Sequence, residues 1–373
     1  MIQAYGIFND YNSIASVGRA IVNELTKKHI DVTIYSTNTM QHTYLDIRAD
    51  VALRNAAPIG LYIGYPENGP GWLEGHAFKI MVTVCETDRI PQTWVDACNF
   101  CDLVVVPSQW CVDAFTRSGV TKKILKVNHG IYSNLAKTTR GIPKKSINFF
   151  NEHYFLHVSG SLSFAARKGT SKLLRAYQRL VNDYKGLTPK LYLKMPNTEG
   201  VVQAIELLNL KEHTVLLSDV SLAPINMYSL QRNALAIVQP SRAEGFGIVP
   251  LESRAVGTPV IMTNATGHTE HCVSEVDLVI PTSRHMSLLE TQANPLGSAP
   301  TVAEEDIYKS LCKMLTQIDR ATFETTQYAE KSAEGWDWSN VLTPLIREIK
   351  SVIPEYKKWG VKLGGGASLR GTE

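Results

Sequence analysis

The sequence has no apolar run near the ~20 residues that a membrane-spanning helix needs. Its first residues, MIQAYGIFNDYN, lack the basic and apolar regions of a secretory signal, so none is expected. The six cysteines in 373 residues show no spaced disulfide framework. These absences make the reducing cytoplasm the expected compartment. No repeat of fixed short period is seen, which argues against a solenoid.

Charge of one sign is also nearly absent. Lys and Arg number 38 and Asp and Glu 35, which gives a net charge of +3. So small an excess is no footprint for nucleic-acid binding, although it leaves a local basic patch open. Hydrophobic residues make up 44% and charged residues 20%, which excludes a mostly disordered chain, a coiled coil or a collagen-like fibre. At ~150 residues per domain, the length favours two domains.

Strand-like and helix-like segments alternate along the first part of the chain. Runs such as DVTIYS and DLVVVPS are β-branched and apolar, as strands buried on both faces are. Between such runs, Ser13 to Lys28 places Ile14, Val17, Ile21 and Leu25 on one helical face. This alternation predicts βαβ units and a mostly parallel sheet.

A polar segment, TTRGIPKKS, interrupts the alternation, which then restarts. We therefore predict an α/β protein with two Rossmann-like domains. Their bounds are an N-terminal domain at 1–137, a linker at 138–146, a C-terminal domain at 147–335, a C-terminal helix at 336–363 and a flexible tail at 364–373. Ligands of such sheets bind at the carboxyl ends of the strands, so the expected site is the cleft between the domains.

The most informative segment is QPSRAEGFGIVPLESRAVGTPVIMTN. An apolar strand leads through a glycine-containing turn into a helix that starts near Ile248, with Pro250 in its first turn. Glycines let the backbone approach a ligand closely. The free amides and partial positive charge of the helix N-terminus are suited to a pyrophosphate.

Two carboxylates flank this anion site, and they lie eight residues apart. At ~1.5 Å per helical residue, Glu244 and Glu252 are at most ~12 Å apart, of the order of the distance from sugar to ribose in a nucleotide diphosphate sugar. A carboxylate accepts two hydroxyl hydrogen bonds, so one can hold the sugar and the other the ribose. The alternative is a pair of solvated carboxylates.

In this context, Glu, seven residues, Glu resembles the donor motif of retaining GT-B glycosyltransferases, in particular glycosyltransferase family 4. Three further segments, VCETDRIPQTW…VVVPSQW, VNHGI and FLHVSGSLSFAARKGTSKLLRAY, resemble one branch of that family. The resemblance covers roughly 79–264. It implies a GT-B fold with an acceptor domain, a donor domain and a C-terminal helix that crosses back to the N-terminal domain. It also implies transfer of a sugar from a nucleotide diphosphate sugar to an acceptor hydroxyl with retention, without a metal or cofactor.

The resemblance also implies roles for individual residues. Arg167 and Lys168 would hold the donor diphosphate, and a basic pair beside a helix start suits phosphate. Glu244 would hold the sugar and Glu252 the ribose. The backbone of the turn and of the first helical turn would complete the donor site, through Gly245, Phe246, Gly247, Ile248 and Val249.

Glu86 is the candidate for contact with the acceptor hydroxyl or the anomeric centre, so Glu86 and Glu244 are the catalytic candidates. The alternative for Glu86 is a carboxylate paired with nearby Arg89. The resemblance places Glu270 near the donor. Two pairs invite a metal, Cys98 with Cys101 and His268 with His271. We expect buried thiols and no metal, since no second ligand pair has metal-like spacing.

Several questions stay open at this point. The donor base and sugar, the acceptor and the oligomeric state are not fixed by the sequence. The acceptor can be a glycan, a lipid-linked sugar, a small metabolite or a hydroxymethylated DNA base. Two other readings are a phosphorylase and a non-catalytic sensor of sugar nucleotides on the same fold.

Overall fold

The computed structural model describes most of the chain. The described residues are 1–10, 12–37, 57–142, 153–160, 165–184, 186, 188–196, 199–218, 222–290 and 295–357, with side chains left out at 165–166, 284–296 and 354–357. Part of the predicted linker, the end of the predicted C-terminal helix and the predicted tail lie outside them.

The first domain is a parallel sheet of six strands in the order β2-β1-β3-β4-β5-β6. Its strands are β1 Ile2–Gly6, β2 Val32–Ser36, β3 Ile59–Ile63, β4 Phe78–Val82, β5 Leu103–Val106 and β6 Lys123–Lys126. The helices are α1 Ser13–Lys27, α2 Gly69–Leu73, α3 Gln92–Asn99, α4 Gln109–Ser118 and α5 Ser133–Gly141, with a 3-10 turn at Pro66–Asn68.

The second domain repeats this plan, with six parallel strands in the order β12-β11-β10-β7-β8-β9. Its strands are β7 Tyr154–Val158, β8 Lys190–Lys194, β9 Thr214–Leu217, β10 Ala236–Gln239, β11 Val260–Thr263 and β12 Leu278–Ile280. An antiparallel hairpin, β13 Thr282–Glu290 and β14 Pro295–Val302, follows. The helices are α6 Ala165–Lys168, α7 Thr170–Tyr184, α8 Glu199–Leu207, α9 Pro224–Asn233, α10 Ile248–Ala255, α11 Glu304–Gly335, α12 Trp338–Val341 and α13 Thr343–Lys357.

Local chemistry explains why these segments start where they do. Asn12 caps α1, because its Oδ1 accepts a hydrogen bond of 2.9 Å from Ala15 N. Ser108 caps α4 in the same way, and Gly119 ends that helix in the left-handed conformation. β5 is buried along its whole length, as its unbroken apolar run predicts. The prediction of two parallel α/β sheets is confirmed.

The C-terminal helices return to the first domain. Trp338, Leu342, Ile346 and Ile349 are buried in the same hydrophobic core as β1, β3 and α1. An ion pair of 2.6 Å between Lys123 and Glu348 adds a contact at the surface. Both domains therefore share the end of the chain, which fixes one sheet beside the other.

Some boundaries differ from the sequence-based expectation. The segment assigned to a linker at 138–146 begins inside α5, which continues to Gly141. The hydroxyls of Thr138 and Thr139 donate to carbonyls one turn back in this helix. The hairpin was not predicted, because its Ser- and Pro-containing segments lack a clear apolar alternation. Among the described residues, no helix is both long and apolar enough to cross a membrane.

Candidate active site

A cleft of about 810 Å³ runs between the carboxyl ends of the two sheets. Both domains contribute to its lining. The structure brings every residue of the predicted site to this cleft: Glu86, Arg167, Lys168, Glu244, Gly245, Phe246, Gly247, Ile248, Val249 and Glu252. The roles given to these residues stay predictions, but their common location agrees with one ligand site.

The turn between β10 and α10 lines the cleft on the side of the second domain. Gly247 adopts φ 78°, a left-handed conformation that strongly favours glycine. A Cβ on Gly247 would also lie 2.3 Å from the His268 ring. The helix then starts at Ile248, with Pro250 in its first turn, as predicted. Its first residues line the cleft, and the N-terminus of a helix carries a partial positive charge.

Arg167 and Lys168 meet Glu244 beside this turn. Lys168 Nζ lies 2.6 Å from Glu244 Oε1, and Arg167 Nη1 lies 3.3 Å from Glu244 Oε2. Arg167 Nη1 also donates to the Ala243 carbonyl at 2.7 Å. Each carboxylate oxygen of Glu244 can accept a second hydrogen bond, so the carboxylate can also bind ligand hydroxyls.

Glu86 reaches the same cluster from the first domain. Its Oε1 lies 3.7 Å from Arg167 Nη2, and both side chains are largely buried. The alternative partner considered from the sequence, Arg89, is exposed. Arg167 therefore stands between a carboxylate of each domain, and it is the group that joins the two walls electrostatically.

The two motif carboxylates have opposite electrostatic surroundings. Burial alone would raise the pKa of Glu244, but Lys168 and Arg167 outweigh it and hold that pKa well below its usual range. Burial raises the pKa of Glu252 to about 7, and only a hydrogen bond from Gln231 at 2.9 Å opposes this. Glu244 is thus fixed as an anion, whereas Glu252 changes charge near neutral pH.

The wall of the first domain is less charged. Its polar lining includes Asn12, Tyr65 and His129, beside Glu86. Burial lowers the pKa of His129 to about 4, so its ring is neutral at physiological pH. That ring lies 5.2 Å from the Phe246 ring of the opposite wall. Neither Tyr65 nor His129 was among the predicted site residues, although each lies shortly after the end of a strand, β3 and β6 respectively.

His268 and His271, the pair that invites a metal in the sequence, contact other protein groups, with His268 Nδ1 3.2 Å from Thr263 Oγ1. His271 Nε2 donates to the Phe246 carbonyl at 3.0 Å, while its Nδ1 accepts from Arg254 at 3.0 Å. Arg254 in turn pairs with Asp277 at 2.6 Å, and both are fully buried. Within the described part of the chain, no three His, Cys, Asp or Glu residues are grouped to hold a metal.

The paired cysteines are buried thiols, as expected. Cys98 and Cys101 have no exposed surface. Burial raises the pKa of each to about 12, so neither thiolate forms at physiological pH.

Glu270 does not line the cleft, in contrast to the expectation from the resemblance. It forms a bridge between the domains instead. Its carboxylate accepts hydrogen bonds from Gln109 N at 2.5 Å, Asn128 Nδ2 at 3.0 Å and Lys126 Nζ at 3.0 Å. The 3-10 turn Thr266–Glu270 directs this side chain to the N-terminus of α4, where a negative charge is favourable.

Residues 142–292 match the family model described as glycosyl transferases group 1. Over this segment the chain is similar to that family of glycosyltransferases. Among curated proteins, the chain is 29% identical over 136 residues to the capsular polysaccharide biosynthesis glycosyltransferase CapM of Staphylococcus aureus. That match covers 36% of this chain and 34% of CapM, so the chain matches about a third of the length of this relative.

Solved structures resemble the whole chain. Sucrose-phosphate synthase from Thermosynechococcus elongatus is 14% identical, with a TM-score of 0.67 over 95% of this chain and 99% of that chain. HepE from Anabaena in complex with UDP and glucose is 14% identical, with a TM-score of 0.66 over 94% and 99%. The fold is GT-B. The GT-B prediction is therefore confirmed. The segment that matches the group 1 model contains Arg167, Lys168 and both motif carboxylates.

Proposed function

We propose that the protein is a retaining glycosyltransferase that moves a sugar from a nucleotide diphosphate sugar to an acceptor hydroxyl. The observation that carries this proposal is the cluster of Glu244, Arg167 and Lys168 at the start of α10. It combines phosphate-binding cations, free helix amides and a sugar-binding carboxylate at the floor of a cleft between two sheets. The group 1 match over this segment supports it.

In this proposal, the second domain binds the donor. Arg167, Lys168 and the N-terminus of α10 stabilise the negative charge that grows on the leaving diphosphate. These groups are held in place before the reaction by Glu244, so little reorganisation is needed. Glu244 also orients the sugar, and Glu252 accepts hydrogen bonds from the ribose. No metal or cofactor is required, because these cations and the helix N-terminus take the phosphate charge.

We further propose that the substitution occurs on one face of the sugar. The bond between the anomeric carbon and the phosphate oxygen breaks, and the acceptor oxygen bonds to that carbon from the same side. The acceptor proton passes to the departing phosphate oxygen. Glu86 contacts the acceptor hydroxyl and orients it, from its position 3.7 Å from Arg167. The configuration at the anomeric carbon is retained.

The acceptor we propose is a carbohydrate hydroxyl. The name of CapM, a capsular polysaccharide biosynthesis glycosyltransferase, supports this class. The lining of the first domain, with neutral polar and aromatic side chains such as Asn12, Tyr65 and His129, suits a sugar ring better than a polyanion.

The test is a transfer assay. The protein is incubated with UDP-, GDP-, ADP- and TDP-sugars and with glycans, lipid-linked sugars or hydroxymethylated DNA. Release of nucleoside diphosphate is measured with and without EDTA, and the anomeric configuration of the product is read by NMR. We expect EDTA-resistant release that depends on a glycan, with retained configuration.

Other results would assign the other readings. An inverted product would contradict retention, and inhibition by EDTA would contradict the metal-free site. Transfer only to DNA would replace the proposed acceptor. Donor binding without turnover would identify a sensor. Sugar phosphate formed from a glycan and inorganic phosphate would identify a phosphorylase.

A further inference from the structure

The hairpin β13–β14 reaches from the second domain to the loop that carries Glu86. It leaves the sheet after β12 and returns into α11. At its returning strand, Ser298 O accepts from Asp88 N at 3.1 Å. In the opposite direction, Ser298 N donates to Asp88 Oδ1 at 2.7 Å. Asp88 thus holds the hairpin through both its backbone and its side chain, two residues after Glu86.

The contact depends on a close approach of the two backbones. Gly297 adopts φ 121°, a conformation that residues other than glycine rarely adopt. A Cβ there would lie 2.8 Å from Asp88 Oδ1 and 3.2 Å from the Thr87 side chain. The hairpin backbone can therefore approach this loop closely because Gly297 has no side chain.

The other side of the hairpin is fixed to the donor wall. Arg242 donates from Nε to the Pro300 carbonyl at 2.8 Å and from Nη2 to the Ala299 carbonyl at 3.3 Å. Arg242 N also donates to the Arg167 carbonyl at 2.8 Å. The hairpin consequently links the loop of Glu86 to the segment that positions Arg167.

Further hydrogen bonds limit the movement of the loop itself. Trp110 Nε1 donates to the Glu86 carbonyl at 3.1 Å, and Thr87 Oγ1 donates to the Arg89 carbonyl at 2.9 Å. Arg117 Nη1 donates to the Asp88 carbonyl at 2.9 Å. These contacts come from the first domain alone. The Asp88 contact with Ser298, in contrast, joins this loop to the hairpin of the opposite domain.

We propose that Asp88 is a positioning residue, which docks the hairpin and thereby sets Glu86 against Arg167 across the cleft. This inference rests on the proposed function, since it assumes that Glu86 orients the acceptor. It assigns a purpose to the hairpin, which the sequence did not reveal. A displacement of about 1 Å at a reacting group can cost as much as about 100-fold in rate.

The experiment compares Asp88→Ala with Asp88→Asn. The alanine variant removes the acceptor for Ser298 N, whereas the Asn carbonyl oxygen can still accept that bond. Asp102→Ala is the matched control, because Asp102 Oδ2 likewise accepts a backbone N–H, that of Lys79 at 2.8 Å, at the start of β4 away from the cleft. Two readouts are taken: the steady-state constants for sugar transfer, and hydrogen exchange of the Ser298 amide.

We expect Asp88→Ala to lower kcat by about 10-fold to 100-fold, to leave the donor KM within about 2-fold, and to speed exchange of the Ser298 amide. Asp88→Asn restores most of kcat, and Asp102→Ala keeps it. A normal kcat in Asp88→Ala, an equal loss in both Asp88 variants, or an equal loss in Asp102→Ala would overturn the positioning role.

Hydrogen exchange separates this inference from the proposed function. If the wild-type protein transfers no sugar, the proposed function fails and the positioning role fails with it. Docking of the hairpin by Asp88 is still decided, because it is measured without turnover. Unchanged exchange at Ser298 in Asp88→Ala would overturn the docking even where transfer is active.

Discussion

The two walls of the cleft are built in different ways. The wall of the second domain concentrates charged groups. Glu244 lies in the turn that leads into α10, and its two cations, Arg167 and Lys168, lie on the short helix α6. The wall of the first domain takes single side chains from separate segments: Asn12 at the start of α1, Tyr65 after β3 and His129 after β6. This difference supports the proposed division of labour, in which the second domain stabilises charge and the first orients the acceptor.

The same contrast appears within the donor motif. Glu244 is an anion locked by cations, and Glu252 is a carboxyl whose pKa burial raises to about 7. A sequence pattern of two glutamates therefore contains two chemically different groups. The pattern alone cannot reveal this, because the difference comes from Arg167 and Lys168, far away in the chain, and from the burial of Glu252.

The largest expected effect on turnover comes from replacing Arg167, which pairs with a carboxylate of each wall. Arg167→Ala removes a cation from the diphosphate site and leaves Glu244 and Glu86 without it. We expect kcat to fall by about 100-fold to 1,000-fold, as for loss of a group that stabilises developing charge. Arg175→Ala is the control, since this half-exposed arginine of α7 pairs with Glu304 outside the cleft. Equal activity of the two variants in a transfer assay would remove Arg167 from the mechanism.

The next largest effect distinguishes the proposed roles of the two walls. Glu86→Gln keeps the shape of the side chain and removes its charge beside Arg167. We expect turnover to fall by about 10-fold or more, because orientation of the acceptor is weakened, while donor affinity is unchanged in calorimetry. Glu74→Gln is the control, an exposed glutamate after α2. Loss of donor affinity instead would place Glu86 on the donor wall and break the proposed division of labour.

A smaller effect follows from the pKa of Glu252. Below pH 7 this carboxyl is mostly protonated, and above pH 7 it is mostly an anion, which can accept hydrogen bonds from the two ribose hydroxyls of the proposed donor. Donor affinity should therefore rise as pH increases from 6 to 8, by about 10-fold at most. Calorimetric titrations of a donor across this range measure it.

Glu252→Gln is the matched variant for this pH dependence. It cannot ionise, so its donor affinity should be lower at pH 8 and flat with pH. A slope that persists in Glu252→Gln would assign the titration to another group. Wild-type affinity for donor at pH 8 in this variant would remove Glu252 from the ribose site.

The smallest expected effect concerns Glu270, the bridge between the domains. Glu270→Ala removes hydrogen bonds to Gln109 N and Asn128 and an ion pair with Lys126. Since Lys126 is partly exposed and its charge is screened by solvent, we expect the free energy of unfolding to fall by only about 1 kcal/mol. This is a fall in Tm of a few degrees, with donor affinity retained. A collapse of donor affinity at unchanged Tm would instead support the donor contact that the resemblance implied.

The strands and most helices could be predicted from local patterns. α10 begins at the predicted residue, Ile248, because the glycine-containing turn marks its start. The charged donor wall was also readable, since its residues form local motifs. The hairpin and its contact with Asp88 were not, because they depend on the approach of backbones separated by 210 residues in sequence. The pairing of Glu86 with Arg167 was missed for the same reason.

The central claim is that this cleft binds a nucleotide diphosphate sugar through the wall of the second domain. The most direct measurement is thermal unfolding of the wild type and of Glu252→Ala with UDP-, GDP-, ADP- and TDP-sugars. A ligand at about 100 times its Kd adds about 2.7 kcal/mol to stability. We expect one nucleotide family to raise the Tm of the wild type, and a much smaller shift in Glu252→Ala. No shift with any donor, or an equal shift in both proteins, would contradict the account.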